Sequence, residues 1–267
     1  MNLENHKRMA QNPEKGDPLH PRKGSRILLK VSGEAFSNSS SGVEPEAVEY
    51  LGKQLATIHT AGLQVGVVIG GGNIVRGSLF ENKGMNRCTA DHMGMLGTLI
   101  NALALQDAIE HLGGIEVRVL TALTVTEVAE PFILRKALEH LNKNRIVIFA
   151  CGTGNPYFTT DTAAALRATE IGAELFIKAT KENGIYSADP KKYPKATLYR
   201  YLTYQQILDQ NLRVMDLTAI TLCREQNLPI LVFNYQDKTS LTRYLNGEPV
   251  GTFVCSVLPI EAGLSKS

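Results

Sequence analysis

The chain of 267 residues contains no tryptophan, and aromatic residues make up only 6% of it. That is poor material for the stacking platforms of single-strand nucleic-acid binders. Neither sign of charge dominates. The formal net charge is +2, too weak a field to argue for nucleic acid or an anionic membrane as partner. No apolar run approaches the ~18 residues of a membrane span, and the N-terminus lacks the apolar segment of a secretory signal. Cys88, Cys151, Cys223 and Cys255 stand far apart, with no C-x-x-C and no histidine at metal-ligand spacing. They read as reduced, mostly buried thiols of a cytoplasmic protein. Two nucleotide fingerprints are also missing. There is no G-x-x-x-x-G-K-[ST], and Gly70, Gly71 and Gly72 run on into Asn73, Ile74 and Val75 rather than completing G-x-G-x-x-G.

What is present is an ordinary globular balance, 43% hydrophobic and 20% charged, in a chain long enough for a large core. Residues 1–24 are polar and carry Pro13, Pro18 and Pro21, so they read as a disordered or loosely attached extension. From Arg26 onward, short apolar strands alternate with helical patterns. Strands are expected over 27–31, 63–69, 117–120, 145–150, 175–179 and 229–234, with a further edge pairing over 251–255. Helices are expected over 45–61, 91–111, 131–141, 161–171, 203–210 and 216–226. That alternation predicts an α/β fold, a three-layer αβα sandwich around a mainly parallel sheet. No linker interrupts 26–255, so residues 25–256 read as a single domain with two functional lobes, followed by a tail over 257–267.

In the helix expected over 91–111, Asp91 stands at the N-cap position. Met93, Leu96, Ile100, Leu103 and Ala104 recur at helical spacing. Apolar on more than one side, that helix lies either deep in the core or at a subunit contact. Ala163, Ala164 and Leu166 should face inward from the helix over 161–171.

Three glycine-bearing turns follow three buried strands: Lys30-Val31-Ser32-Gly33, Gly70-Gly71-Gly72, and Cys151-Gly152-Thr153-Gly154-Asn155. Carboxyl ends of parallel strands share one sheet edge, so these turns should converge. They offer backbone N–H groups, hydroxyls and the cations Lys30 and Arg76, an inventory that suits several phosphates. A tight strand-to-helix turn without a ligand is the plainer alternative for the glycines. Lys30 ends a buried strand, where it either reaches the sheet edge or meets an anion. Thr159 and Thr160 precede a helix whose first N–H groups could hold a phosphate, with Asp161 beside it. Helix capping is the plainer account of Asp161.

These residues resemble the bacterial uridylate kinases of the amino acid kinase superfamily. The resemblance is carried by Lys30 to Ala35, Val67 to Asn73 with Arg76 and Gly77, and Gly84 to Arg87 with Asp91 to Met95. It continues through Gly152 to Asp161, Lys178 to Lys181, Ala188 to Pro190, and Val214 to Leu217. It implies reversible ATP-dependent phosphorylation of UMP to UDP in pyrimidine nucleotide (CTP) biosynthesis, by direct in-line transfer from Mg-ATP. Lys30 and Asp161 would be catalytic. Lys30, Val31, Ser32, Gly33, Gly72, Arg76, Thr180, Tyr186 and Asp189 would bind ATP. Gly71, Asp91, Thr153, Gly154, Asn155, Pro156, Tyr157, Phe158, Thr159 and Thr160 would bind UMP. Mg²⁺ would be held mainly by the ATP phosphates, with no protein metal site. The resemblance further implies a cytoplasmic homohexamer regulated by GTP and UTP, with neither nucleic acid nor membrane as partner. At Asn183 many members carry aspartate; the turn survives but a charge is lost near the ATP region, which bears on regulation more than on chemistry. The alternatives are a non-catalytic nucleotide binder on the same fold, or a superfamily kinase acting on a carboxylate or carbamate.

Overall fold

The computed structural model describes residues 22–37, 42–75, 84–212 and 214–257. The extension before residue 22, the serine-rich stretch 38–41, Arg76 and most of the tail therefore lie outside the described residues. The strands are β1 (Arg26–Val31), β2 (Gln64–Ile69), β3 (Val117–Thr121), β4 (Glu130–Pro131), β5 (Ile146–Ala150), β6 (Leu175–Thr180), β7 (Tyr201–Thr203), β8 (Ile230–Asn234) and β9 (Thr252–Cys255). The helices are α1 (Pro45–Thr60), α2 (Arg87–His111), α3 (Leu134–Asn142), α4 (Thr160–Glu170), α5 (Tyr204–Asp209), α6 (Leu217–Glu225) and α7 (Ser240–Leu245), with a 3₁₀ turn over Gly33–Phe36.

The nine strands form one sheet in the order β4-β3-β5-β2-β1-β6-β8-β9-β7. Pairing is parallel throughout except between β8 and β9. Central strands read as unbroken apolar runs because both their faces are covered. Ile27, Leu29, Val31, Val65, Val67 and Ile69 pack toward α1 and α2, while Leu28, Val68, Val147 and Phe149 pack toward α3 and α4. Two cores on opposite faces give the three layers expected. Burying all these side chains, at roughly 25 cal/mol per Å² of apolar surface, is the main force holding the layers together.

Several local expectations need correction. Helix α2 begins at Arg87, and its cap is Asn86, whose side chain accepts from the N–H of Cys88; Asp91 lies a turn inside. The buried stripe of α2 is Met95, Leu99, Ala102, Leu105 and Ile109, whereas Leu96 and Ile100 of the stripe read from the sequence stand 47% and 49% exposed. Pro131 belongs to β4, and the helix starts only at Leu134. On α4 the inward positions are Ala163, Ala164, Ala165 and Ala168, with Leu166 half-buried. Strand β9 is internal, flanked by β8 and β7, and α7 has no counterpart in the sequence reading. Of the cysteines, Cys151 and Cys223 are buried while Cys88 and Cys255 are only partly so.

The topology also fixes where a ligand can sit. From β1 the chain moves outward through β2, β3 and the edge strand β4, returns to insert β5 between β3 and β2, and then crosses to β6 on the other side of β1. A crevice opens outside the carboxyl ends of the strands at such a reversal. All three glycine-bearing turns and the end of β6 empty into it.

Candidate active site

The centre of the crevice follows from strand register. Lys30 of β1 lies directly opposite Lys178 of β6, and residues in register in neighbouring parallel strands project from the same face. That face is the one α4 covers, and Asp161 stands in the first turn of α4. Two ammonium groups side by side would repel one another, and the carboxylate resolves the conflict. Lys30 Nζ is 2.9 Å from Asp161 Oδ1, and Lys178 Nζ is 2.5 Å from Asp161 Oδ2. Lys178 Nζ also donates to the Val214 carbonyl at 2.6 Å. Burial by itself would raise the Asp161 carboxyl. The coulombic pull of Lys30 and Lys178 outweighs it and holds the group below the ordinary carboxylate range. Burial draws the Lys178 ammonium below the usual lysine value, with Asp161 opposing. The set of three therefore carries a net positive charge in a dry setting.

Asp161 is not a cap. That task falls to Thr159, whose hydroxyl accepts the Thr162 N–H at 3.2 Å. Lys30 likewise meets an anion, the carboxylate of its own chain. Lys178, named in the sequence only as part of a matching run, was given no role there, although a lysine inside the apolar run LFIKAT carries the same signal as Lys30.

On one side of this centre lies a cleft of about 360 Å³, lined by Gly71, Gly72, Val75, Arg87, Asp91, Met95, Thr98, Gly152, Thr153, Asn155, Phe158, Thr159 and Thr160. Its wall is the loop after β5, which turns through left-handed backbone at Cys151, Gly152, Gly154 and Tyr157 (φ 62°, 58°, 79° and 72°). Asp91 reaches across to this loop and accepts the Tyr157 N–H at 2.7 Å. It is held on its own helix by Arg87 at 3.1 Å, whose guanidinium also lies over the Tyr157 ring. Asp91 therefore joins helix to loop. Gly154, Pro156 and Tyr157 belong to that loop without lining the cleft, and Tyr157 and Phe158 are largely exposed.

On the other side lies a cleft of about 570 Å³ bordered by Thr180, Glu182, Gly184, Ile185, Tyr186, Ser187, Ala188, Asp189, Pro190, Gln210, Asn211, Leu212, Val214 and Val232. The Thr180 hydroxyl is engaged locally, donating to the Glu182 carbonyl and accepting its N–H. Asp189 accepts the Lys191 N–H at 3.0 Å. Asn183 accepts from Asn234 at 3.0 Å, which ties the turn to the end of β8.

In the glycine turn that lines the 360 Å³ cleft, and in the turn after β1, the glycines differ in how closely the described residues crowd them. A Cβ on Gly33 would lie 2.5 Å from Asn73 Oδ1, one on Gly70 2.8 Å from Gly33 N, and one on Gly71 2.4 Å from the Gly94 carbonyl. A Cβ on Gly72 would meet nothing within 4 Å. Beneath the turn, Asn73 and Asn101 exchange amide hydrogen bonds at 2.9 and 2.8 Å, and Asn101 also donates to Gly70 O. This buried pair, also missed in the sequence, holds the turn against α2. Ser32 caps the 3₁₀ turn after β1. The structure thus gathers Lys30, Ser32, Gly33, Gly71, Gly72, Asp91, Thr153, Asn155, Phe158, Thr159, Thr160, Asp161, Thr180, Tyr186 and Asp189 around one crevice. Val31 is buried beneath it, and Arg76 lies outside the described residues.

Comparison with known proteins bears on this geometry. The model of the Amino acid kinase family matches residues 25–234. A uridylate kinase from Methylococcus capsulatus is 52% identical over 230 residues, covering 86% of this chain and 96% of that protein. Among solved structures, a UMP kinase from Bacillus anthracis superposes with a TM-score of 0.86 at 38% identity, over 89% of this chain and 98% of the other. A UMP kinase from Ureaplasma parvum gives 0.82 at 36% identity, over 87% and 99%.

Proposed function

The chain belongs to the amino acid kinase family, and we propose that it catalyses the reversible transfer of a phosphoryl group from Mg-ATP to UMP, giving UDP for pyrimidine nucleotide (CTP) biosynthesis. The observation that carries this assignment is the Lys30–Asp161–Lys178 cluster, whose chain neighbour Thr160 lines one cleft and whose neighbours Thr180 and Val214 line the other.

The 360 Å³ cleft takes UMP, with Gly71, Asp91 and residues 153–160 around it. The 570 Å³ cleft takes the base and ribose of ATP against Thr180, Tyr186 and Asp189. Its phosphates run toward Lys30, Val31, Ser32, Gly33, Gly72 and Arg76. Residues 25–256 act as a single catalytic unit, the N-terminal part holding UMP and the C-terminal part ATP.

The acceptor needs no general base. The phosphate of UMP has its second pKa near ~6, so its attacking oxygen is ionised at neutral pH. What remains is to hold two polyanions in line and to neutralise charge on the migrating group. Lys30 and Lys178 supply that charge at fixed positions. Asp161, ionised and buried, keeps the two ammonium groups together instead of moving a proton. Among the described residues no three His, Cys, Asp or Glu side chains cluster as a metal site. A cation held chiefly by ATP oxygens fits such a donor set. Both oxygens of Asp161 are engaged by the lysines, Oδ1 by Lys30 at 2.9 Å and Oδ2 by Lys178 at 2.5 Å, so the phosphates would supply most of that cation's ligands. When bound, Mg²⁺ neutralises the phosphate oxygens and orients them.

The half-exposed Leu96 and Ile100 on α2 are suited to a subunit contact of a homohexamer in the cytoplasm. Control by GTP and UTP belongs to the same proposal. The test is incubation with Mg-ATP and each of UMP, CMP, AMP and GMP, with and without GTP. UDP formation from UMP far above the other three is expected; no UDP, or equal use of all four, sinks the assignment.

A further inference from the structure

Asp216 has a second task beyond capping a helix. Its Oδ1 accepts the N–H of Ala219 at 3.0 Å and so caps α6. The same oxygen accepts the hydroxyl of Thr162 at 2.8 Å, and Oδ2 accepts the hydroxyl of Thr159. Thr159 lines the 360 Å³ cleft and caps α4, the helix that carries Asp161. Its hydroxyl proton is therefore committed to Asp216 and its lone pair to the N–H of Thr162. No donor is left on that hydroxyl for a phosphate. Two residues before Asp216, the Val214 carbonyl takes a hydrogen bond from Lys178, and Val214 lines the 570 Å³ cleft. The short segment 214–216 thus grips the phosphoryl-transfer centre through a carbonyl and the rim of the other cleft through a carboxylate. An α6 cap alone would need one carboxylate oxygen and neither threonine.

Granted the kinase activity proposed above, we propose that Asp216 is a positioning residue for UMP. It draws the first turn of α4 onto α6 and fixes Thr159, leaving the Thr160 hydroxyl and the loop N–H groups as the donors that meet the UMP phosphate. Two charge-assisted hydrogen bonds hold that turn, and each is of the larger kind. Their loss loosens the UMP site while leaving the ATP cleft and the lysine pair in place.

Steady-state kinetics, calorimetric UMP binding and Tm are compared for wild type, Thr162→Val, Asp216→Asn and Asp216→Ser. Thr162→Val keeps both helix caps and removes one hydroxyl from Asp216. Asp216→Ser keeps a good cap but offers a single short oxygen. The expected result is a UMP KM and Kd raised roughly three- to tenfold in Thr162→Val and at least about tenfold in Asp216→Ser, with Asp216→Asn in between. The KM for ATP stays within about twofold and kcat falls little. Wild-type UMP affinity in both Thr162→Val and Asp216→Ser overturns the proposal and leaves Asp216 as a cap. So does a parallel rise of both KM values with a lowered Tm, which reports general loosening. Failure of the wild type to form UDP is a separate result. It defeats the kinase assignment, and the UMP titrations still read Asp216.

Discussion

Replacing Lys178 with methionine removes one ammonium of the pair while preserving the length of the side chain. Two routes give its cost. A cation about 4 Å from charge developing on the migrating phosphoryl group, at an effective dielectric near 20, is worth about 4 kcal/mol. Deleting one preorganised donor from a transition-state site lowers kcat by about 10²–10³, which is about 2.7–4 kcal/mol. The two agree, so kcat of Lys178→Met is expected to fall about 10²–10³-fold. Folding should suffer far less. Asp161 keeps Lys30 at 2.9 Å, so no buried charge is stranded, and the burial penalty on Lys178 itself disappears. What is lost is the donor to the Val214 carbonyl, worth about 1 kcal/mol. Single-turnover formation of UDP, with KM for each nucleotide and calorimetric Tm, separates these effects. A kcat within threefold of wild type in a normally folded variant would falsify the charge-neutralising role. A double variant with Asp161→Asn should be far from additive, because the three groups work as one.

The acid limb of kcat/KM for UMP should fall about tenfold per pH unit below pH ~6, where the substrate phosphate takes up its proton. Being a property of UMP, that limb should stay put in Lys178→Met, and a shift in the variant would point to a protein base. Asp161 offers a pH-dependent stability term whose sign follows from its depressed folded-state value. The contribution is present in full above the unfolded value of about 3.9 and is lost as pH falls through the folded one. Tm of Asp161→Asn should therefore drop less between pH 5 and 3 than that of wild type; parallel curves refute the coupling. Gly72→Ala should fold normally, since its Cβ meets none of the described residues within 4 Å, and should raise the KM of the nucleotide that occupies the 360 Å³ cleft it lines. Gly71→Ala should lower Tm by several degrees, since its Cβ would lie 2.4 Å from the Gly94 carbonyl.

The central strands could be read because burial on both faces leaves an unbroken apolar run, as in VGVVI and RIVIFA. Convergence of the three glycine turns followed from parallel pairing alone. Features that depend on register were hidden. Nothing local says that Lys178 stands opposite Lys30, and only that pairing turns a lysine in a strand into half of a cation pair. The cap of α2 was misplaced for a related reason. Asn86 and Asp91 are both competent caps, and the choice was made by Asp91 being drawn to Arg87 and the Tyr157 N–H. The Asn73–Asn101 pair spans 28 residues of sequence, beyond any periodicity argument. Strand β7 and helix α7 are short, and their stability comes from packing on neighbours more than from their own residues.

A consecutive triplet of glycines invites one explanation, yet the three serve different ends. Gly70 must lack a side chain because the turn after β1 passes against it, and Gly71 because α2 does. These two let the turn after β1 and helix α2 pack closely against the end of β2. For Gly72 no such reason is found among the described residues, none of which lies within 4 Å of a Cβ built on it. It also borders the cleft that holds Asp91 and Thr160. An alanine there meets no steric conflict with the described residues. A nucleotide affinity lowered in Gly72→Ala without any loss of Tm would therefore support the proposed place of Gly72 beside a nucleotide phosphate, whereas Gly70 and Gly71 are already required by packing.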